Sequence, residues 1–131
     1  MAQLSSAQVD LLKEAHLAQL VTLMPDGSPQ ISPVWVDTDG SDILINTALG
    51  RVKSNNMERD ARVAVGVYDA ANGYDRVVNI RGHVTAITEE GANAHIDSLA
   101  KKYMGVDTYP LRNAAETRVI VRIAPDNITG R

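Results

Sequence analysis

The 131-residue sequence contains no cysteine, which excludes disulfides and thiolate metal ligands. It also has no phenylalanine, one tryptophan and four tyrosines, so the core has to be built mostly from Val, Ile, Leu and Ala. β-Branched side chains pack well on a pleated surface, and this composition favours strands. Long apolar runs are missing as well. Ile43 to Ile45 and Val119 to Val121 are among the longest, far too short to span a bilayer. The N-terminus lacks a basic stretch leading into an apolar one, so no signal peptide is visible and a cytoplasmic location is expected by default. Positive charge is in deficit: the formal net charge is −3. That argues against broad nucleic-acid binding, but not against a small anion site, because local charge can oppose the total. The hydrophobic fraction of 44% and the charged fraction of 22% place the chain with globular proteins rather than disordered ones. Its length fits one domain spanning residues 1–131, large enough to bury about two-thirds of the unfolded surface.

Along the chain, Ser5 and Gln8 have capping-box spacing, and Val9, Leu12 and Ala15 recur at helical intervals, predicting a short helix over 5–15. A strand is expected at 18–24, ended by the turn residues Pro25-Asp26-Gly27-Ser28, and another at 29–37. Pro33 within the second cannot donate to a ladder, which marks an edge, a bulge or a gap. A turn at 37–42 leads to a strand at 43–48, so these three strands read as a meander. A helix is expected at 51–60, a strand at 61–69 with Val63, Val65 and Val67 on one face, and a loop carrying Asn72-Gly73. The long strand at 76–88 places Val78, Ile80, Gly82, Val84 and Ala86 on one face, with Gly82 suggesting a bulge or a close backbone approach. An amphipathic helix at 89–103 presents Ala92, Ile96, Leu99 and Tyr103, and Gly105 ends it. A final strand at 118–124 precedes a short tail. Consecutive strands with few helices between them point to a mainly β (α+β) antiparallel barrel with helices at its ends, not a doubly wound parallel sheet.

Three segments carry candidate chemistry. In Asn46-Thr47-Ala48-Leu49-Gly50-Arg51-Val52-Lys53-Ser54-Asn55-Asn56 a strand opens into a helix. Free amides and the dipole of a helix N-terminus bind anions, and Arg51 and Lys53 add a planar fork and a point charge suited to phosphate. Residues 51–62 hold four basic and two acidic residues in an otherwise acidic chain. The plain alternative is a solvated basic helix face, and the sequence is not a Walker loop. The strand Gln30 to Val36, with Ser32, Pro33, Val34 and Trp35, offers backbone groups to a flat heteroaromatic ring; otherwise it is an edge strand with Trp35 as core filler. The face Asn79, Arg81, His83 and Thr85 reads as solvent-exposed, or as reaching a partner's ligand in a dimer. His16, His83 and His95 lack metal-ligand spacing, and neither a catalytic triad nor an acid–base pair is evident. Where a cofactor carries the reaction, the protein need only bind, orient and shield it.

Leu20 to Leu23, Pro25 to Trp35 and Asn46 to Val65, taken together, resemble the pyridoxamine 5′-phosphate oxidase-like split-barrel proteins, and among these the flavin/deazaflavin oxidoreductases that use coenzyme F420. The resemblance is most specific over 20–67 and weaker over 89–117. It implies an antiparallel split β-barrel with short flanking helices, assembled as a homodimer with cofactor sites at the interface. The family's phosphate-binding pattern falls on Thr47, Arg51, Lys53 and Asn56, adjoining Asn46 and Ala48, and its ring-binding strand on Ser32, Pro33, Val34 and Trp35. FMN-binding oxidases of the superfamily commonly place Arg and Lys side by side. Val52 separates them here, a spacing closer to the deazaflavin branch. The chain is also too short for the extended C-terminal segment that vitamin B6 oxidases use on their substrate. The expected function is hydride transfer from reduced F420 to a small electron-poor acceptor such as a quinone or enone. An FMN-dependent oxidase or reductase and a non-catalytic flavin, deazaflavin or haem carrier are the alternatives. No protein side chain is expected to be catalytic, and no metal, nucleic acid or membrane span is expected.

Overall fold

A computed structural model describes residues 2–72 and 75–130. Gly73 of the expected Asn72-Gly73 turn lies outside them. The first helix, α1 (Ser6–Lys13), begins with the capping box foreseen: Ser5 Oγ accepts from the Gln8 N–H, and Gln8 Oε1 accepts from the Ser5 N–H at 2.8 Å. It buries Leu11 and Leu12 and stops before Ala15, because Glu14 turns into extended backbone. Ala15 is exposed.

β1 (Ala18–Leu23) and β2 (Pro29–Val34) form an antiparallel hairpin, closed where Met24 N–H donates to the Ser28 carbonyl. The single strand expected over 29–37 is broken at Trp35. Its second part, β3 (Val36–Thr38), pairs instead with β4 (Ile43–Ala48). After β4 come α2 (Val52–Arg59), β5 (Arg62–Tyr68), β6 (Val77–Thr88), α3 (Ala92–Met104) and β7 (Arg118–Gly130). The strand order is β2-β1-β5-β6-β7-β4-β3, antiparallel at every pairing. The two edges are therefore one stretch of chain separated by a single residue, Trp35. The sheet curls until its edges nearly meet, which is a split barrel. Pro33 sits on an edge strand, where its missing N–H costs no ladder bond.

Val63, Val65 and Val67 of β5 and Val78 and Ile80 of β6 all face inward, as alternation predicts. Together with Leu12, Leu20, Val36, Ile43, Ile45, Val121 and Ile123 they fill the interior, and no large aromatic is needed. Gly82 meets both expectations at once. The β6–β7 register shifts between Arg81 and Gly82, and a Cβ there would run into the Ala124 carbonyl. A second shift between Val84 and Ala86 turns Ile87, rather than Ala86, onto the core. The last strand outruns the expected 118–124. The first bulge sets Gly82 opposite Pro125 and Arg81 opposite Asn127, so pairing continues past the proline to Gly130. Among the described residues no helix is long and apolar enough to cross a membrane.

Candidate functional site

The break at Trp35 makes the principal cleft. It has a volume of about 660 Å³ and is lined by Pro33, Val34 and Trp35 from the split strand, Asn46 from β4, and Arg51 and Lys53 at the start of α2. From the other side come Ile96, Tyr103 and Met104 of α3, Tyr109 and Leu111 of the loop after it, and Arg118 at the start of β7. The Trp35 indole stacks on Tyr103 with ring centroids 5.2 Å apart and planes 4° from parallel, and Tyr109 meets it edge-on at 5.9 Å. Tyr103 is pinned because its hydroxyl donates to the His16 carbonyl at 2.7 Å and accepts from the Val36 N–H at 3.1 Å. That second bond occupies a donor beside the strand break.

The opposite end of the cleft is cationic. Arg51, Lys53 and Arg118 converge there, with Glu116 as counter-charge: Arg51 Nη2 lies 3.0 Å and Arg118 Nη1 3.2 Å from its carboxylate. Glu116 is held below the usual carboxylate range, first by the Arg51 hydrogen bond. Burial, then the charges of Arg51 and Arg118, push the Lys53 ammonium below its ordinary value. Three cations against one anion leave a surplus of positive charge in a protein that is negative overall. Gly50, at a φ of 88°, makes the turn from β4 into α2, and Arg51, the N-cap, makes no side-chain capping bond, so the first amides of the helix have no side-chain cap. On either side of Arg51, Thr47 Oγ1 and Ser54 Oγ are buried without a hydrogen-bond partner. Such orphaned hydroxyls cost free energy unless something completes them.

Of the residues singled out in the sequence, Pro33, Val34, Trp35, Asn46, Arg51 and Lys53 come together in the cleft. Thr47 and Ala48 are buried at the end of β4 and do not line the cleft. Ser32 Oγ is buried without a partner. Asn56 turns inward: its amide donates to Thr22 Oγ1 at 3.0 Å and accepts from Arg59 Nη2 at 2.8 Å, tying α2 to β1. Asn79, Arg81, His83 and Thr85 lie exposed on the outer face of β6, away from this cleft, with His83 Nδ1 2.9 Å from Asp126. Sequence reasoning missed Arg118, Tyr103 and Tyr109. Arg118 enters through pairing with Ala48, 70 residues earlier, and no local pattern signals that. Its guanidinium lies over the Tyr109 ring, 5.4 Å from the centroid, and its Nε donates to Asn46 Oδ1 at 2.9 Å. Glu14, His16 and Asp69 cluster as metal ligands could, but Arg76 donates to Glu14 at 2.7 and 2.8 Å and to Asp69 at 2.9 Å. The guanidinium already supplies the positive charge there.

A family profile described as pyridoxamine 5′-phosphate oxidase matches residues 4–131. The chain belongs to that family. Among solved structures it is similar to an F420 reductase, at 30% identity and a TM-score of 0.83, covering 93% of this chain and 95% of that one. It is also similar to a conserved hypothetical protein of Mycobacterium tuberculosis, at 27% identity and a TM-score of 0.74, covering 95% and 82%. General Stress Protein 26 of Bacillus anthracis, at 17% identity and a TM-score of 0.67 over 91% and 86%, shares the fold. No curated protein sequence matched. As a member of the pyridoxamine 5′-phosphate oxidase family the chain has the fold of flavin- and deazaflavin-related oxidoreductases.

Proposed function

We propose that this family member is an F420-dependent reductase, homodimeric, with its cofactor held in the Trp35–Arg118 cleft. The observation that carries the reading is the pairing of an aromatic, strand-broken floor with a surplus of cations at one end of the same cleft. The likeness to an F420 reductase supports it. The residues fit the cofactor: Arg51, Lys53 and Arg118 would hold its phosphate and acidic groups, and Thr47 and Ser54, on the β4 and α2 segments that flank Arg51, carry buried hydroxyls without a partner. Ser32 to Trp35 would face the ring. When bound, the reduced deazaflavin supplies a hydride to an electron-poor acceptor such as a quinone or enone. The chain's own part is to bind, orient and shield. Tyr103 and Tyr109 hold Trp35 in place, and Met104 and Leu111 add apolar wall.

Purified protein should quench F420 fluorescence at low micromolar concentration and reoxidise reduced F420 when a quinone is added. Trp35, the only tryptophan, reports the same event from the protein side. Retention of FMN on purification, with no response to F420, would move the assignment to an FMN-dependent oxidase or reductase. Tight binding without acceptor-dependent turnover would make the chain a carrier. Arg51→Glu or Lys53→Glu is expected to weaken F420 binding at least tenfold with the circular dichroism spectrum retained, since one charge-assisted hydrogen bond is worth roughly 1.5–3 kcal/mol. Unchanged affinity would return both residues to the status of solvated surface charges.

A further inference from the structure

The cleft floor carries a hydrogen-bond chain that the anion-binding role of Arg51 and Lys53 does not require. Asn46 is its centre, and its carboxamide is oriented from two sides. Arg118 Nε can only donate, so Asn46 Oδ1 faces it at 2.9 Å; the Ala92 carbonyl can only accept, so Nδ2 faces it at 2.8 Å. The same Nδ2 lies 3.2 Å from His95 Nδ1. A donor at that position requires Nδ1 to be the bare nitrogen. The ring proton then belongs on Nε2, which is 3.3 Å from Asp37 Oδ2. The neutral Nε2–H tautomer is thus the form of His95 that satisfies both neighbours at once. An imidazolium would set N–H against N–H. Asn46 could relieve that only by rotating, at the cost of its bonds to both Arg118 and Ala92.

We propose that His95 is a positioning residue for the cleft: its neutral Nε2–H form holds Asn46, Asn46 holds the Arg118 guanidinium, and protonation of His95 frees Arg118 and weakens anion binding. This rests on reading the cleft as an anion site. The charged groups linked to His95 are Asp37 from β3, which meets it directly, and Arg118 from β7, reached through Asn46. Lys102, farther along α3, acts on Asp37, and Lys13 of α1 acts on Lys102. β4 presents the neutral Asn46. Beyond Arg118 the chain continues through Glu116 to Arg51. The sign separates this role from plain electrostatics: an added positive charge near a cationic cleft would tighten anion binding on acidification, whereas loss of the Arg118 anchor loosens it.

The test has two arms. Long-range nitrogen–proton spectra of ¹⁵N-histidine-labelled protein, with His95 assigned by its loss in His95→Asn, should show the neutral Nε2–H tautomer at neutral pH. An Nδ1–H or imidazolium signature there overturns the positioning role, whatever the cleft binds. In the second arm sulfate is the probe, because its charge stays constant from about pH 8 to pH 5. Wild-type affinity should fall at least threefold across that window. His95→Asn, which keeps an acceptor toward Asn46 but cannot titrate, should give a flat profile, and His95→Leu should bind weakly throughout. Matching profiles for wild type and His95→Asn, or tightening toward acid pH in the wild type, would overturn the proposal. No sulfate binding at any pH, with the Nε2–H tautomer intact, would instead retire the anion reading and the binding half of this proposal with it.

Discussion

At the scale of single residues, side chains that a pattern search could mistake for chemistry are often holding the barrel together. Arg76 clamps Glu14 at the end of α1 to Asp69 at the end of β5, and His16 adds a second contact to Glu14. The Arg76 hydrogen bond, then that of His16, draws the Glu14 carboxyl from its usual value down to about 2. A carboxylate with a depressed folded-state pKa contributes stability that is complete above its unfolded value and is lost as pH falls through the folded value. The contribution of Glu14 should therefore disappear between about pH 4.5 and pH 2. Because the group is solvent-accessible, added salt should shrink the effect. Arg76→Ala should shift acid unfolding, followed by circular dichroism, to higher pH than in the wild type; an unchanged midpoint would mean that the clamp contributes nothing. Lys102 does comparable work by different means. Its ammonium donates to the Leu12 carbonyl at 2.7 Å and the Val36 carbonyl at 2.6 Å, and burial lowers its pKa to about 8. It joins three elements without occupying the cleft.

At the scale of elements, the β6–β7 pair decides how long the barrel wall is. Gly82 and Pro125 each look like a strand breaker alone. Set opposite one another they form a bulge that lets β7 run on to Gly130. Gly82→Ala should therefore cost about 1–3 kcal/mol, as overpacking against rigid backbone does, seen as a lower urea midpoint with an unchanged m-value. Wild-type stability in this variant would show that the bulge can open to admit a methyl group. The helices were easier to read from local signals. The Ser5–Gln8 capping box starts α1 and Gly105 stops α3, where its N–H donates to the Lys101 carbonyl. At Trp35 and Ala124 a distant partner overrode the local pattern, whereas the ends of α1 and α3 were trimmed locally, α1 stopping at Lys13 and α3 starting at Ala92 after Gly91.

At the scale of the whole molecule, the barrel depends on long-range pairing. β7 lies between β6 and β4, and residues 125–130 supply the partners of Val78 to Gly82. A chain ending at Ala124 should lose that ladder and expose the β6 edge, giving a large drop in thermal midpoint or aggregation on expression. Cooperative unfolding at the wild-type temperature would show that the tail is dispensable. The sequence by itself determined the strand-rich Val/Ile/Leu core, the three helices, the glycine bulge and the basic entry to α2, because alternation, capping and turn residues act over a few positions. The meander expected of the first three strands became two hairpins at opposite edges of the sheet. Resemblance of residues 20–67 to a known family added the split barrel. Only the tertiary structure decided that Trp35 divides one strand between two edges of the sheet. It alone brought Arg118 and Tyr109 into one cleft with Arg51 and Lys53, and it turned Asn56 inward while setting Asn46 between Arg118 and His95. Those arrangements join residues that lie 34 to 72 positions apart through strand pairing and helix packing, and no local period carries the information.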